Sequence, residues 1–337
     1  MLVYLHAKGA GVKTVSGLHH ITAIASKAQR NLDFYAGVLG LRLVKKSVNQ
    51  DDPGTYHLFY ADAEGRPGTD PTFFPWESMA PTRKGTGLAV EVQLAVPQGS
   101  LAFWEARLQG YGVRLGAAEE RFGEKALPVR DPDGLELALV ETAPRPFSPW
   151  ERTDVPENRQ IMGLHGARLW QQALAPSADF LTQVMGFEFA GHQAGWSRYT
   201  VAGGGSGKFV DIKELPHLPK GQWGTGSIHH LAWRVDDTTH EMEVRKRILA
   251  AGIPATRQID RFWFKSVYFN EPGGVVFELA TDGPGFTVDE DPAQLGEALV
   301  LPPWLEPQRP QIEAVLPRLE APNPSALRDE SPSRRFA

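Results

Sequence analysis

The chain has 337 residues and a net charge of −5, and it contains no cysteine. The length predicts about two domains. Without thiols, disulfides, cysteine nucleophiles, zinc–thiolate sites and iron–sulfur clusters are excluded. The acidic balance argues against a nucleic-acid partner, and no stretch approaches the ~20 apolar residues of a membrane helix. The first thirteen residues lack the apolar core of a signal peptide, which favours the cytoplasm.

Four segments of the chain share one layout. Each begins with an apolar strand, continues into an amphipathic helix and leaves that helix at a glycine, as is typical of a left-handed helix cap. The glycines and the apolar residues after them are Gly40-Leu41, Gly112-Val113, Gly186-Phe187 and Gly252-Ile253. Helical spacing predicts the buried faces. These are Leu32, Tyr35, Val38 and Leu39; Leu101, Trp104 and Leu108; Phe180, Leu181, Val184 and Met185; and, less cleanly, Met242, Arg245, Ile248 and Leu249.

Strand-like runs separated by turns follow each glycine, and some turns match between segments. Residues 131–134 (DPDG) match residues 271–274 (EPGG), and residues 85–87 match residues 224–226, both GTG. We therefore predict a βαβββ module of about 60 residues, present four times. The fold class is α+β, with curled mixed sheets and flanking helices. Rossmann and TIM-barrel folds do not fit, because both need a helix after nearly every strand.

The modules are expected to form two tandem halves. Modules 1 and 2 make a first domain over residues 14–143, and modules 3 and 4 make a second over residues 160–285. A segment rich in proline and charge, residues 144–159, is the expected linker. Residues 286–337 form a C-terminal extension, with a short helix among prolines and a frayed polar tail from residue 323. The glycine-rich run 203–207 is interpreted as a hairpin turn, because it lacks the spacing of a phosphate-binding loop.

Two histidine doublets occupy the same position in two modules. His19 and His20 lie on the first strand of module 1, and His229 and His230 lie on the first strand of module 4. Because neighbouring side chains of a strand point to opposite faces, one histidine of each doublet is expected on the concave side. If the two strands are neighbours, two imidazoles converge. The pattern alone leaves open which histidine of each doublet does so.

A glutamate completes a possible metal site. Glu278 lies in an otherwise apolar strand of module 4, where an unpaired carboxylate is costly to bury. Two imidazoles and one carboxylate form the ligand set typical of non-haem Fe(II) oxygenases, which leaves positions for substrate and O₂. The alternative for each residue is structural, with packed histidines and a glutamate on a wet sheet face.

The other two modules hold different residues in these positions. Aligning the repeats puts Glu91 opposite His230, Ala138 opposite Glu278 and Gly166 opposite His20. We therefore predict one metal, built by modules 1 and 4, with modules 2 and 3 as scaffold.

These residues carry a resemblance to a known family. From about Gly17 to Leu319 the chain resembles the vicinal-oxygen-chelate (glyoxalase, bleomycin-resistance and extradiol dioxygenase) superfamily, and within it the ring-cleaving dioxygenases of hydroquinones. The motifs are residues 18–22 (LHHIT), 56–58 (YHL), 65–69 (GRPGT), 228–230 (IHH), 268–278 (YFNEPGGVVFE) and 301–315 (LPPWLEPQRPQIEAV). Residues 261–264 (RFWF) are more apolar than in those dioxygenases, so the ring substituents are not specified.

The resemblance implies a site and an activity. It implies that His20, His230 and Glu278 bind Fe(II), with Mn(II) accepted by the same donors. It places His229 and Tyr268 beside the substrate and Arg261 in contact with it, in an enzyme that opens an aromatic diol with O₂. The structural alternatives are that His229 only orients its neighbour and that Tyr268 bonds the backbone. His57 is interpreted as a packed histidine, with a place beside the site as the alternative.

Two other functions remain open on the same fold. One is a metal-dependent isomerase or lyase of the glyoxalase type, and the other is a non-catalytic protein that binds aromatic compounds. A three-ligand site suits O₂ chemistry better than the first, and a pure binder needs no metal ligands. No nucleic acid or membrane partner is expected. The sequence leaves the oligomeric state open, a homo-oligomer included.

Overall fold

The computed structural model describes residues 13–330. Residues 1–12 and residues 331–337 lie outside the described part. The prediction that the first thirteen residues lack a signal peptide therefore falls almost wholly outside it. Within that part, no helix is both long and apolar enough to cross a membrane.

Four βαβββ modules follow one another along the chain. Module 1 contains β1 (Leu18–Ala25), α1 (Ala28–Leu32), β2 (Arg42–Asn49), β3 (Asp52–Ala61) and β4 (Asp70–Pro75). Module 2 contains β5 (Leu88–Pro97), α2 (Leu101–Gly110), β6 (Arg114–Leu115), β7 (Glu119–Arg121), β8 (Glu124–Arg130) and β9 (Glu136–Thr142). Module 3 contains β10 (Gly163–Gln171), α3 (Leu174–Phe180), β11 (Glu188–Gln193), β12 (Trp196–Thr200) and β13 (Phe209–Glu214). Module 4 contains β14 (Ile228–Val235), α4 (Thr238–Ala250), β15 (Ile259–Asp260), β16 (Lys265–Asn270) and β17 (Val276–Thr281). The fourfold repeat and the α+β class are confirmed.

Each of the two sheets combines modules from both halves of the chain. The eight-stranded sheet has the order β15-β16-β17-β14-β1-β4-β3-β2, which joins modules 4 and 1. The nine-stranded sheet has the order β11-β12-β13-β10-β5-β9-β8-β6, with β7 paired to β8, and joins modules 3 and 2. The joints are the antiparallel pairs β1–β14 and β5–β10. First strands of modules from different halves are therefore neighbours, which is the condition for convergence of the two doublets.

The helices end as the glycine pattern predicts. Gly40, Gly112, Gly186 and Gly252 all adopt the left-handed conformation, with φ of 71°, 69°, 80° and 79°. Helices α1 and α3 continue as π-helical turns at Asp33–Val38 and Leu181–Met185. The predicted faces of the first three helices are buried or half-buried.

The predicted face of the fourth helix is wrong in part. Met242 and Leu249 are 40% and 42% exposed, and the buried side chains of α4 are His240, Glu241, Val244 and Ile248. A histidine and a glutamate thus lie on the buried face of α4, where apolar side chains were predicted. One polar atom of each side chain finds a local partner, since His240 Nδ1 accepts from the Asp236 N–H and Glu241 Oε2 accepts from Gln258. Within residues 13–330, His240 Nε2 and Glu241 Oε1 are buried without a hydrogen-bond partner.

The matched turns have matched structures. The turns span residues 131–135 and 271–275. In each turn the backbone N–H of the first residue donates to the carbonyl of the fifth residue, and the carbonyl of the first residue accepts from the N–H of the fourth. In each turn a carboxylate oxygen of that first residue, Asp131 or Glu271, also accepts the N–H of the fifth. The two GTG motifs lie in segments that pair with each other, through Pro81↔Thr225, Arg83↔Gln222 and Thr86↔Lys220. The run 203–207 connects β12 to β13 as the predicted turn.

The C-terminal extension packs back onto module 1. The short helix predicted among prolines is α5 (Arg309–Val315), and short 3₁₀ turns lie at Phe286–Val288, Pro292–Gln294 and Glu306–Gln308. The buried Lys45 ammonium pairs with Asp289 and Glu290, which fastens the extension to β2. A frayed tail from residue 323 is wrong within the described part. Residues 324–330 form a 3₁₀ turn whose Leu327 is buried, and Pro324 packs against Gly37.

Candidate metal centre

Each histidine doublet coincides with a β-bulge. Along the β1–β14 pair, Leu18 lies opposite Trp233 and His20 opposite Ala232, so His19 is the extra residue on β1. Further along, Thr22 lies opposite His230 and Ala23 opposite Ile228, so His229 is the extra residue on β14. A bulge interrupts the alternation of side chains. The expectation that the two histidines of a doublet face opposite sides is therefore wrong, because their imidazoles contact each other through Nδ1, at 2.9 Å for His19–His20 and 2.8 Å for His229–His230.

The second histidine of each doublet points to a common space with Glu278. The Nε2 atoms of His20 and His230 are 3.2 Å apart, and they lie 3.2 Å and 2.9 Å from Glu278 Oε2. All three side chains are buried, and their ligand atoms lie within 4.8 Å of one another. Glu278 Oε2 has no hydrogen-bond partner in residues 13–330. Three electron-pair donors that face one another, one of them an orphaned carboxylate oxygen, fit a divalent cation between them.

A backbone carbonyl fixes the tautomer of His20. His19 Nε2 is 3.2 Å from the carbonyl oxygen of Thr281, which only accepts, so this nitrogen carries a hydrogen. Burial, with the neighbouring His20, lowers the pKa of His19 well below its usual value, so the ring is neutral and its Nδ1 is an acceptor. His20 Nδ1 therefore donates to His19 Nδ1, which leaves the lone pair of His20 Nε2 free. That is the tautomer a metal ligand needs.

The tautomers of the second doublet can be argued in the same way, starting from a cation bound to His230. If His230 binds a cation through Nε2, its Nδ1 carries the hydrogen and donates to His229 Nδ1. Burial lowers the pKa of His229 to about 3, so this ring is neutral and keeps its hydrogen on Nε2. His229 lies among Phe74, Trp76 and Trp223, with ring centroids 5.6, 6.0 and 4.5 Å away, and it lines the cavity at the centre. It thus presents an N–H donor there.

Glu278 is oriented and ionised. Ser266 Oγ donates to Glu278 Oε1 at 2.5 Å, which leaves Oε2 directed at the histidines. Burial alone would raise the pKa of Glu278, but His20 and His230 hold it well below its usual value. The carboxylate is therefore the charged member of the candidate ligand set.

The centre opens into a cavity of about 470 Å³. Most of its walls are aromatic or apolar, formed by Phe59, Phe74, Trp76, Ile259, Trp263, Phe264 and Val276. Polar groups gather toward the β2–β3 turn, including Asn49, Gln50, Asp51, Asp52 and Arg261. This combination fits a flat apolar ligand with a few polar substituents.

Tyr268 and Arg261 also line this cavity. Tyr268 lies opposite Glu278 in the β16–β17 register, with its ring centroid 5.7 Å from that of His230. Burial and the Glu278 charge raise the pKa of Tyr268, so the phenol keeps its proton. Arg261 donates to Asp51 at 2.8 Å and lies 5.4 Å from the Tyr268 ring centroid. Burial opposes its charge, but Tyr268 and Asp51 raise the pKa of Arg261.

One side of the centre lacks a protein ligand. Glu278 pairs with Ala232, two residues after His230, and the equivalent position in module 1 is Thr72, paired with Thr22 two residues after His20. The Thr72 hydroxyl is 2.8 Å from that of Thr22 and 2.9 Å from His57 Nε2. Thr72 is short and neutral and its hydroxyl already has these two partners, so it does not serve as a fourth ligand. Among the described residues, the module 1 side of the centre therefore has no carboxylate that corresponds to Glu278.

The equivalent positions of the other sheet hold an ion-pair network. The register confirms the alignment, since bulges at Val90 and His165 precede Glu91 and Gly166, and Ala138 pairs with Gln93 two residues after Glu91. Arg121 binds Glu91 at 2.6 and 3.1 Å. Each module therefore has one bulge on its first strand, and the residue after the bulge is a histidine in modules 1 and 4 and Glu91 or Gly166 in modules 2 and 3.

Sequence reasoning missed three contributors to the centre, namely Ser266, the Thr281 carbonyl and Thr72, and it considered His19 only as an alternative to His20. These groups set the orientation or the open side of the candidate ligands. A signal existed for Ser266, a polar residue two positions before Tyr268 and therefore on the same face of an alternating strand. None existed for the Thr281 carbonyl, because it acts through the backbone of a distant strand.

Comparisons with known proteins agree with this architecture. A protein of Bacillus subtilis named as a ring-cleaving dioxygenase, MhqO, is 43% identical over 301 residues, covering 89% of this chain and 96% of the relative. The chlorohydroquinone/hydroquinone 1,2-dioxygenase of Sphingobium indicum is 32% identical over 305 residues, covering 87% and 93%. A crystal structure described as a dioxygenase from Bacillus subtilis superposes with a TM-score of 0.88 at 42% identity, covering 92% of this chain and 99% of that one.

Glyoxalase I from Zea mays shares the fold at 15% identity, with a TM-score of 0.58, and covers 79% of this chain and 92% of that one. The family model described as Glyoxalase/Bleomycin resistance protein/Dioxygenase superfamily matches residues 17–139 and 163–279, one segment in each half of the chain. The chain belongs to this superfamily.

Proposed function

We propose that this protein is an Fe(II)-dependent dioxygenase that opens a hydroquinone-type or catechol-type ring, with His20, His230 and Glu278 as the metal ligands. The observation that carries the proposal is a buried two-histidine, one-carboxylate centre whose fourth position is Thr72, open to an aromatic cavity. Such a centre has room for both a phenolic oxygen and O₂.

The names of the relatives support this reaction class. MhqO of Bacillus subtilis is named as a ring-cleaving dioxygenase, and the Sphingobium indicum relative is named for chlorohydroquinone and hydroquinone. This chain covers 96% and 93% of their lengths, so the comparison spans whole proteins. A small aromatic diol and O₂ are the proposed substrates.

Fe(II) bound by these residues would supply binding positions for a phenolic oxygen and O₂, and the redox chemistry that lets O₂ react with a ring. The chain's own residues bind and orient the substrate. The aromatic walls, among them Phe59, Phe264 and Trp263, take up the ring and exclude water from it.

Three polar groups face the reacting atoms. The Nε2–H of His229 and the protonated hydroxyl of Tyr268 donate hydrogen bonds to oxygen atoms that gain negative charge as the ring opens. The Arg261 guanidinium stays charged beside Tyr268 and favours the same anionic atoms. Because Tyr268 holds its proton firmly, it acts as a hydrogen-bond donor in the resting site.

The decisive experiment is anaerobic loading of the protein with Fe(II), followed by measurement of O₂ uptake. Methylhydroquinone, catechol and the methylglyoxal–glutathione adduct are offered in separate reactions, and a parallel sample is loaded with Mn(II). We expect O₂ uptake with a diol and ring-opened acid as product, and none with the adduct. Fe(II)-loaded protein that consumes no O₂ with any diol would contradict the proposal. Isomerisation of the adduct would then favour a glyoxalase-type enzyme, and tight binding of a diol without turnover would favour a binding protein.

A further inference from the structure

His57 stands on β3 as a fixed part of the cavity wall. Its ring is packed between Phe59 and Phe74, with centroids 3.8 and 4.4 Å away. Its Nε2 is held at 2.9 Å by the Thr72 hydroxyl. In the module repeat, His57 occupies the position of Ser266, since β3 pairs Phe59 with Thr72 as β16 pairs Tyr268 with Glu278. The residue that orients the carboxylate in module 4 is thus replaced in module 1 by a histidine bonded to Thr72.

The second nitrogen of His57 remains open to the cavity. Within residues 13–330, no group is hydrogen-bonded to His57 Nδ1, and this atom is not among the enclosed polar atoms. The polar groups at the cavity mouth are engaged instead. Gln50 donates to the Arg261 carbonyl, Arg261 donates to Asp51, and Asp52 accepts from the Trp76 indole. His57 Nδ1 is thus a polar atom without a partner in an aromatic wall, where an unmet hydrogen bond is costly once a ligand excludes water.

The state of His57 suits a neutral partner. Burial, together with His20 and His230, keeps the pKa of His57 well below its usual value. A neutral imidazole has one donor and one acceptor nitrogen, so Nδ1 can pair with a hydroxyl in either tautomer. A phenol offers both a donor and an acceptor.

The distance between His57 and the metal ligands matches the oxygen spacing of one kind of diol better than that of another. Strand β4 lies between β3 and β1, so the β3 backbone is about 10 Å from the strand of His20. A 1,2-diol brings both oxygens to one side of its ring, where both reach a single metal. A 1,4-diol with one oxygen at the metal carries the other across the ring, away from the ligands.

We propose that His57 Nδ1 binds the ring oxygen that is not at the metal, and that it thereby selects 1,4-dihydroxybenzenes over 1,2-dihydroxybenzenes and monophenols. This inference rests on the proposed function, because it takes the metal centre as the place of the first oxygen. Phe59 and Phe74 pack against the imidazole, and Thr72 fixes its rotation through Nε2. His57 is a specificity residue that contacts the substrate and takes no part in binding the metal.

The test compares ligand binding without turnover. Under strict exclusion of O₂, hydroquinone, catechol and phenol are titrated calorimetrically into the Fe(II)-loaded protein, its His57→Phe variant and a His192→Phe control. His192 lies on β11 of the other sheet, where its Nδ1 bonds Ser197. We expect the wild type and the control to bind hydroquinone about tenfold more tightly than phenol. His57→Phe should bind the two with equal affinity, with unchanged iron content and unchanged phenol affinity.

A hydroquinone preference that survives in His57→Phe would overturn the inference, as would a wild type that binds hydroquinone and phenol alike. If His57→Phe does not fold, His57→Asn replaces it, because its amide keeps a polar atom near the position of Nδ1. That variant should retain the preference, and its loss would contradict the role of Nδ1. Failure of the proposed function is seen separately, as absence of O₂ uptake by wild-type protein with every diol. Anaerobic affinities do not depend on that turnover.

Discussion

The Thr281 carbonyl determines which nitrogen of His20 is free, although one side chain stands between them. The chain of contacts runs from the carbonyl through both nitrogens of His19 to His20 Nδ1. A bulge makes it possible, because in regular strand geometry neighbouring imidazoles point apart. The doublet therefore combines a candidate ligand with the residue that sets its tautomer.

Removing the charge of Glu278 should remove the metal. Glu278→Gln keeps the size of the side chain and its contact with Ser266, but a neutral amide is a far weaker ligand than a carboxylate. We expect at least about a hundredfold loss of Fe(II) affinity, measured as metal content after dialysis against a weak chelator. Glu91→Gln is the control, since Glu91 occupies the position equivalent to His230 in the other sheet and binds Arg121. It should lose stability and keep its iron, whereas iron retained by Glu278→Gln would exclude Glu278 from the centre.

Ser266 should tune the affinity of the metal without binding it. Ser266→Ala removes the hydrogen bond to Glu278 Oε1 and frees the carboxylate to rotate. Loss of such a supporting bond lowers metal affinity by about tenfold or somewhat more. A competition titration with a coloured chelator measures this. Ser197→Ala is the control, because Ser197 is buried on β12 in the nine-stranded sheet and its hydroxyl bonds His192 there. Equal affinities in the two variants would contradict the orienting role of Ser266.

The sequence predicts more of the centre than of its surroundings. His20 and His230 stand out because histidine doublets recur in equivalent positions of a repeat, and Glu278 stands out as a carboxylate in an otherwise apolar strand. The choice of His20 over His19 needs the bulge, which depends on the register between strands of different halves and leaves no local pattern. Sequence reasoning does not identify Thr72 for a related reason. Thr72 matters because it is the neutral counterpart of Glu278, and only the strand register shows this.

At the scale of elements, spacing identifies helices well and their buried faces less well. Helix α4 buries His240 and Glu241, and a hydrogen bond to one polar atom of each side chain offsets part of the cost of burial. The 3₁₀ turn at residues 324–330 escapes prediction because contacts with distant residues attach it, with Leu327 buried and Pro324 against Gly37. In both cases tertiary contacts outweigh the local pattern.

The GTG segment should be intolerant of a methyl group. A Cβ on Gly85 would lie 2.3 Å from the Pro219 carbonyl oxygen and 2.4 Å from the Gly221 nitrogen, both backbone atoms. We expect Gly85→Ala to lower the free energy of unfolding by about 3 kcal/mol. Gly110→Ala is the matched control, because Gly110 lies in α2 with no atom within 4 Å of its added Cβ. It should be neutral or stabilising by up to about 1 kcal/mol. Urea unfolding of both variants measures the difference, and similar values would contradict the close approach.

Glu241 should make stability depend on pH. Burial raises the pKa of this carboxyl from 4.5 to about 7, with Gln258 and Lys265 opposing and Glu278 adding to the shift. The folded state thus binds the proton more tightly than the unfolded state. The stability contribution of Glu241 is full below about pH 4.5 and is lost as the pH rises through about 7. Glu241→Gln stays neutral and keeps the contact with Gln258.

The melting temperature of Glu241→Gln, relative to the wild type, should therefore increase between pH 5 and pH 8.5. This increase corresponds to a change of at most about 3 kcal/mol in the free energy of unfolding of the variant relative to the wild type. Calorimetric scans of both proteins at each pH give this difference, in which the pH dependence of metal binding cancels. A constant difference across the range would show that Glu241 is charged throughout.

At the scale of the whole molecule, the two halves of the chain are not independent units. Each sheet takes one module from each half, and the first strands of the modules form the joints. The proposed metal ligands divide in the same way, with His20 in the first half and His230 and Glu278 in the second. The fourfold repeat predicts the modules, but it does not by itself show that modules 1 and 4 share a sheet; that follows from the doublets, since a ligand set from two modules needs adjacent strands.

Cutting the connection between the halves should therefore leave the molecule whole. Glu151 and Arg152 are exposed in the linking segment, so a specific protease site inserted between them is accessible. After cleavage we expect the two fragments to elute together in size-exclusion chromatography and to keep their bound iron, because the joints β1–β14 and β5–β10 stay hydrogen-bonded and their apolar residues form one continuous core. Cleaved protein should also lose iron and structure in one transition on heating. Separate elution of the fragments, or iron retained by one fragment alone, would show that a single half suffices for the fold or for the centre.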